Sequence, residues 1–267
     1  MKNHQRTVGA LAAMTLAVVA LSGCGNIDAA TGASADFEKF ALALPNVIAA
    51  TGGGTNDMPW AGTVRGEVTV SQDITEGHLE AIVDTLGEYY ADHDRGTIDW
   101  NHMRVRVDDY TLEIEKKKTT NDLLRDLFDD IRGSSVYAGG EVGIRGAQFV
   151  LDGEQSTAAL IAGLDAAVID VADHPLVWGG ISVEFELADG STSAKLRQGT
   201  SDPRPDIPIA AFEAVSATTA LTYADVSNYS FYVILADEAA VPAARTLVTE
   251  LLVGSDVDDV RVEGAGQ

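Results

Sequence analysis

The chain has 267 residues, 41 acidic against 18 basic side chains for a formal charge of -23, 46% hydrophobic residues, 7 prolines and a single cysteine. This much apolar material with so little proline excludes a wholly disordered chain, and one cysteine excludes a disulfide framework. The acidic excess excludes unaided nucleic-acid binding, which draws its affinity from Lys and Arg releasing phosphate counterions.

Lys2, His4 and Arg6 form a basic head, and Val8 to Leu21 is an apolar run broken only by Thr15. The run is shorter than the roughly 20 apolar residues of a permanent membrane helix. It ends in Leu21-Ser22-Gly23-Cys24, whose last member is the one cysteine of the chain.

Basic head, short apolar core and small residues up to a lone cysteine resemble the signal peptide and lipobox of bacterial lipoproteins. The resemblance covers residues 1–24. It implies that Leu21, Ser22 and Gly23 are recognised by the signal peptidase, that residues 1–23 are removed, and that Cys24 becomes an N-palmitoyl, S-diacylglycerol cysteine. Chemically, a thiolate is the nucleophile that forms a stable thioether, and two acyl chains give durable attachment where one gives only marginal binding. No second apolar run of about 18 residues follows, so the mature chain is expected to be anchored to a membrane without spanning it. Cleavage takes away Lys2 and Arg6 and no acid, leaving 16 basic against 41 acidic side chains. Residues 24–35 are small and polar, lack periodicity and read as a flexible tether, so folding is expected to begin near Asp36.

From there the chain repeats. Trp100 precedes Met103-Arg104-Val105-Arg106-Val107; 78 positions on, Trp178 precedes Ile181-Ser182-Val183-Glu184-Phe185, and a further 78 on lies Asp259-Val260-Arg261-Val262-Glu263. Before each of these strands the apolar spacing predicts a helix: Leu79, Ile82, Val83 and Leu86; Leu160, Ile161, Leu164 and Val168; Ala243, Leu247, Val248 and Leu251. Ahead of each helix runs a strand, Val64–Val70, Ala147–Leu151 and Tyr229–Leu235. Ahead of those come a short strand and another helix, at Phe37–Leu44, Asn121–Ile131 and Ile209–Ala220. Each unit reads helix, strand, strand, helix, strand, strand, and the third stops one strand short. An Asp189-Gly190 turn would set Glu184 opposite Lys195 and Val183 opposite Leu196; an Asp108-Asp109 turn would set Arg104 opposite Glu113.

The expected fold is α+β, made of tandem ferredoxin-like βαββαβ repeats with antiparallel sheets and helices on one face. The division is 36–118, 119–200 and 201–267, the truncated last unit packing with the N-terminal helix and strand.

Chemical motifs are sparse. There is no Gly-x-Ser-x-Gly turn, Walker A loop, dinucleotide fingerprint or His-Glu-x-x-His helix. Gly52-Gly53-Gly54-Thr55 lacks a following Lys to neutralise phosphate and reads as a flexible loop. Residues 92–99 hold three carboxylates and His93, but the EF-hand spacing fails: Gly96 falls one position early and position 103 is Met. His93 and His174, each following Ala-Asp, read as helix C-terminal residues. No cofactor, catalytic residue or metal site is expected; Asp92, Asp94 and Asp99 are the candidates for a weak cation site. Lys116-Lys117-Lys118 and the acidic 256–259 stretch read as solvated loops. Trp100 and Trp178, being repeat-equivalent, are expected to anchor the core at strand starts.

These features point to a lipid-anchored cell-envelope protein acting as a non-catalytic binding or structural module. Its contact surfaces would be open polar sheet faces around Arg104, Arg106, Glu184 and Glu186, meeting an envelope protein or a glycan. The alternatives are an extracytoplasmic metal-assisted hydrolase, whose acids must converge in one pocket, and a low-affinity cation-binding protein. Ala- and Gly-rich composition suits a high-GC Gram-positive bacterium, with the anchor on the outer face of the plasma membrane; Gly25 after the cysteine leaves a Gram-negative outer membrane open.

Overall fold

The computed structural model describes residues 29–58, 60–94, 96–153, 156–172, 174, 179–186 and 193–266. The expected signal peptide and Cys24 lie outside the described residues, as do Asp173, Trp178 and the expected Asp189-Gly190 turn. No described helix is long and apolar enough to cross a membrane.

The described chain is α+β. Its elements are α1 (Ala29–Ala41), β1 (Val47–Met58), β2 (Ala61–Val70), α2 (Glu76–His93), β3 (Ile98–Val107) and β4 (Tyr110–Glu113). They continue with α3 (Lys118–Gly133), β5 (Tyr137–Gly143), β6 (Gly146–Leu151), α4 (Thr157–Ala172), β7 (Gly180–Glu186) and β8 (Ser193–Gly199). The last are α5 (Asp206–Ser216), β9 (Leu221–Val226), β10 (Ser230–Leu235), α6 (Val241–Leu251) and β11 (Asp259–Gly264). The order helix, strand, strand, helix, strand, strand therefore recurs, with the last copy one strand short. By contacts the chain forms two compact units that meet in sequence between Arg104 and Val105.

In the first unit α1 lies on the β1–β2 hairpin, and this overturns two expectations. Residues 29–35 are the first two turns of a helix that buries Ala30, Ser34, Phe37 and Ala41. The Gly52-Gly53-Gly54-Thr55 run is part of strand β1, paired residue by residue with β2. Both have one cause: glycine leaves room for the helix. A Cβ on Gly54 would stand 2.9 Å from Ala30 Cβ, and one on Gly66 would enter the Phe37 ring. The α1 start is held from across the unit, the Ala30 amide donating to Asn56 Oδ1 at 2.8 Å, while the Gly52 amide donates to Glu38 Oε1 at 2.8 Å. Beneath α1 the rings of Phe37, Tyr89 and Trp100 pack with centroids 5.4–5.7 Å apart. Trp100, at 2% exposure, is the core anchor that its position at a strand start predicts.

The second unit carries β4 to β11 side by side in chain order. Hairpins β5–β6, β7–β8 and β9–β10 are antiparallel. The pairs β4–β5, β6–β7, β8–β9 and β10–β11, each joined through a helix, are parallel. The sheet is thus mixed, where antiparallel sheets were expected. A ferredoxin-like module splits each βαβ unit around another strand; here every crossover lands on the adjacent position and leaves no slot. Helices α3 to α6 touch in sequence, so they form one layer on one face. Because strand direction reverses at each hairpin while the step and the face stay the same, successive crossovers alternate in hand, an uncommon arrangement.

Alternation supplies the core. Ala194 and Leu196 of β8 are buried between exposed or half-buried Ser193, Lys195 and Arg197, and Phe231, Val233 and Leu235 of β10 repeat the pattern. Gly163 lets α4 settle on the sheet: a Cβ there would stand 2.6 Å from Leu151 Cδ2 and 3.1 Å from Val183 Cγ1. In α6 the buried face is Val241, Ala244 and Val248; of the expected Ala243, Leu247, Val248 and Leu251 only Val248 is on it, because that sequence is apolar on both sides. Buried Asn121 closes the start of α3, accepting from the Glu115 amide at 2.7 Å and donating to the Glu115 carbonyl at 2.8 Å.

Candidate functional site

The face of the second unit opposite α3 to α6, which no helix among the described residues covers, gathers the polar halves of its alternating strands. Register sets Glu184 opposite Lys195 and Val183 opposite Leu196, the pairing the sequence predicts. It then sets Lys195 opposite Asp225, Asp225 opposite Tyr232, and Tyr232 opposite Arg261. The side chains use this alignment. Lys195 Nζ is 2.8 Å from Glu184 Oε2, the Gln148 amide donates to Glu184 Oε1, and Arg197 Nε donates to Asp225 Oδ1 at 2.7 Å. Further on, the Tyr232 phenol donates to Glu263 Oε2 at 3.1 Å, and the Arg261 guanidinium lies 6.0 Å from the Tyr232 ring centroid. Opposite charges therefore alternate from Glu184 through Lys195 and Asp225 to Arg261, with the neutral Tyr232 phenol between the last two. Each is partly neutralised by its neighbour, giving a polar, hydrogen-bonding surface without a single-sign field. Burial, then the Asp225 carboxylate, raises the Tyr223 phenol above its ordinary pKa.

At one end this face opens into a cleft of about 350 Å³ lined by Arg145, Ser182, Arg197, Gln198, Asp202 and Tyr229 among others. Local geometry places each. Arg145 sits in the two-residue β5–β6 turn and reaches buried Glu113 at 3.9 Å. Arg197 is held by Asp225 and, at 3.4 Å, by Ser230 Oγ. Asp202 follows β8 in a turn, its backbone amide donating to the Gly199 carbonyl at 3.0 Å, and Gln198 Nε2 donates to the Asp202 carbonyl at 3.1 Å. Tyr229, from the β9–β10 turn, meets Asp202: that carboxylate's charge, then the hydrogen bond between them, raises its phenol pKa. Two guanidiniums, one carboxylate, a phenol, hydroxyls and amides offer donors and acceptors in both directions. That suits recognition of a polar ligand. A second depression of about 350 Å³, in the first unit, is lined by Gly53, Thr55, Arg65, Asn101 and His102.

The expected residues fall as follows. Glu184 lies in the polar row, while the Glu186 side chain is outside the described set. Arg106 is exposed and folds back, Nε donating to the Asp108 carbonyl at 3.0 Å. Asp94 accepts from the Trp100 amide at 2.8 Å, which gives it a structural task at the end of α2. Asp92 and Asp99 are exposed, and among the described residues no three His, Cys, Asp or Glu side chains group as metal ligands. His93 ends α2 with Nδ1 2.9 Å from the Tyr89 carbonyl, and His174 follows α4 with Nε2 3.4 Å from Asp130. The cleft went unread in the sequence. Strand alternation places Arg197 beside Lys195, but Arg145, Asp202 and Tyr229 come from separate turns with no common motif. No family model, curated protein or solved structure matches the chain.

Proposed function

We propose that this is a lipid-anchored cell-envelope protein, held by Cys24 on the outer face of a plasma membrane, that acts as a non-catalytic binding or structural module. Its body is a tandem repeat of about 80 residues, ferredoxin-like in element content though not in strand order. The anchor half rests on the sequence from Lys2 to Cys24. The observation that carries the binding half is the polar row of the second unit, running from Gln148 to Arg261 and ending at the Arg145–Tyr229 cleft. A surface with charges already paired favours recognition by hydrogen bonding and shape, as for a glycan or a polar protein face, over capture of one strongly charged ligand.

Two experiments test this. Cys24→Ala is expected to leave the membrane fraction; its retention there would sink the anchor. A photo-crosslinking residue at Ser182, on the open face, is expected to capture an envelope component in living cells. The same probe at exposed Ile169 on α4 is not. Equal capture from both positions would remove the assignment to the open face.

A further inference from the structure

We infer that the tip of the β1–β2 hairpin, through Met58 and Trp60, is a contact with the lipid–water interface of the membrane that holds the Cys24 anchor. This rests on the lipid-anchor reading and adds to it a membrane-facing end of the first unit.

Met58 and Trp60 are 53% and 62% exposed, an apolar pair at the end of a hairpin. In water such a pair exposes apolar surface with nothing returned, whereas an indole belongs at the headgroup level, its ring in an apolar layer and its N–H in a wet one. The fold decides which membrane is within reach. Asn56, two residues before Met58 on β1, accepts from the Ala30 amide at 2.8 Å, and its own amide donates to Thr31 Oγ1 at 3.3 Å. The start of α1 is therefore fastened to the tip end of the hairpin. The opposite end of the ladder, where Val47 pairs with Val70, is where the chain enters β1 after α1.

Cys24 lies six residues before Ala30. A six-residue segment reaches about 20 Å when fully extended and averages about 13 Å when flexible. Met58 is about 7 Å beyond Asn56 along the strand. The hairpin tip and the first described turn of α1 thus lie at the same end of the first unit, and Cys24 is only six residues of chain from Ala30. A single Trp–Met pair binds a bilayer weakly, but the anchor supplies it at high effective concentration. Charge opposes the contact: with 16 basic against 41 acidic side chains in the mature chain, anionic headgroups repel the protein as a whole. Apolar and aromatic burial must carry it, so added salt should strengthen the contact on anionic lipid.

The test uses the full chain purified from membranes and reconstituted into phosphatidylcholine vesicles with or without brominated acyl chains. The Trp60 signal is the difference between wild type and Trp60→Phe, a substitution at an exposed site that leaves the core untouched. Brominated lipid is expected to quench that signal about twofold. On phosphatidylglycerol-containing vesicles the quenching should grow with salt. Protein that floats with the vesicles but shows equal Trp60 emission in both lipids overturns this inference and leaves the anchor standing. A Trp60 emission shifted to the blue only at high protein density, without quenching, assigns the tip to a second copy and also overturns it. Wild type that does not float overturns the anchor reading and this inference together.

Discussion

One helix in each unit, α1 in the first and α4 in the second, meets its strands through an opposite placement of glycine. Under α1 in the first unit the glycines are on the strands, so the helix approaches with its own backbone and short side chains: Ala30 against Gly54, Ser34 against Gly52. In the second the glycine is on the helix, and what approaches Gly163 is the flexible ends of Leu151 and Val183. The first interface is backbone-limited and sealed by one aromatic cluster, whereas the second is side-chain-limited and spread over many aliphatic contacts. A rigid, local interface should fail abruptly when altered; a distributed one should yield.

The sharpest way to break that contrast is Phe37→Ala. It removes a fully buried ring from between Gly66, Tyr89 and Trp100 and is expected to cost about 3–5 kcal/mol. Hydrogen exchange should show the loss of protection in residues 29–104; an equal loss in β9 and β10 would mean the units do not differ in this way. Next comes Gly54→Ala, which forces a methyl against Ala30 and Ser34 and should cost about 2 kcal/mol by denaturant titration. Ala30→Gly in the same chain should recover part of it.

Tyr137 has a smaller, pH-dependent effect. Burial, followed by its hydrogen bond to Asp170 at 2.7 Å, raises its phenol above the ordinary value of 10.0. The fold therefore favours the protonated phenol. Its stabilisation is fully present below about pH 10 and is lost as pH climbs from there toward the folded-state value. Tyr137→Phe should lower stability near neutrality by about 1 kcal/mol and flatten the alkaline fall in Tm; an unchanged alkaline slope would contradict the assignment.

Gly163→Ala should change stability by less than about 1 kcal/mol, because improved helix propensity offsets the displacement of two side-chain tips. A loss as large as that of Gly54→Ala would erase the distinction between the interfaces. Smallest is the open face: a double-mutant cycle on Glu184 and Lys195, both partly solvated, should give about 0.5 kcal/mol of coupling. Binding, not stability, should register that pair.

Legibility in the sequence followed the range of the physics. The element order and the Glu184–Lys195 register were readable because apolar periodicity and two-residue turns are local. Burial of Trp100 and the helix-end places of His93 and His174 followed from repeat position. The triple-glycine run was misread as a loop because its partner, α1, is remote, and nothing within five residues of Gly54 announces a helix resting on it. For the same reason residues 29–35, small and without obvious periodicity, looked like tether until Ala30 and Ser34 were matched to the glycines that receive them.

What the sequence by itself determined is the series of helices and strands and the inward and outward faces of most strands. These depend on side-chain spacing along one segment. The tertiary structure alone decided that every crossover lands on the adjacent strand, that Arg145, Arg197, Asp202 and Tyr229 share one cleft, and that Trp60 stands at the end where α1 begins. Those facts depend on which segments neighbour one another, and neighbours in space are chosen by the packing of the whole unit.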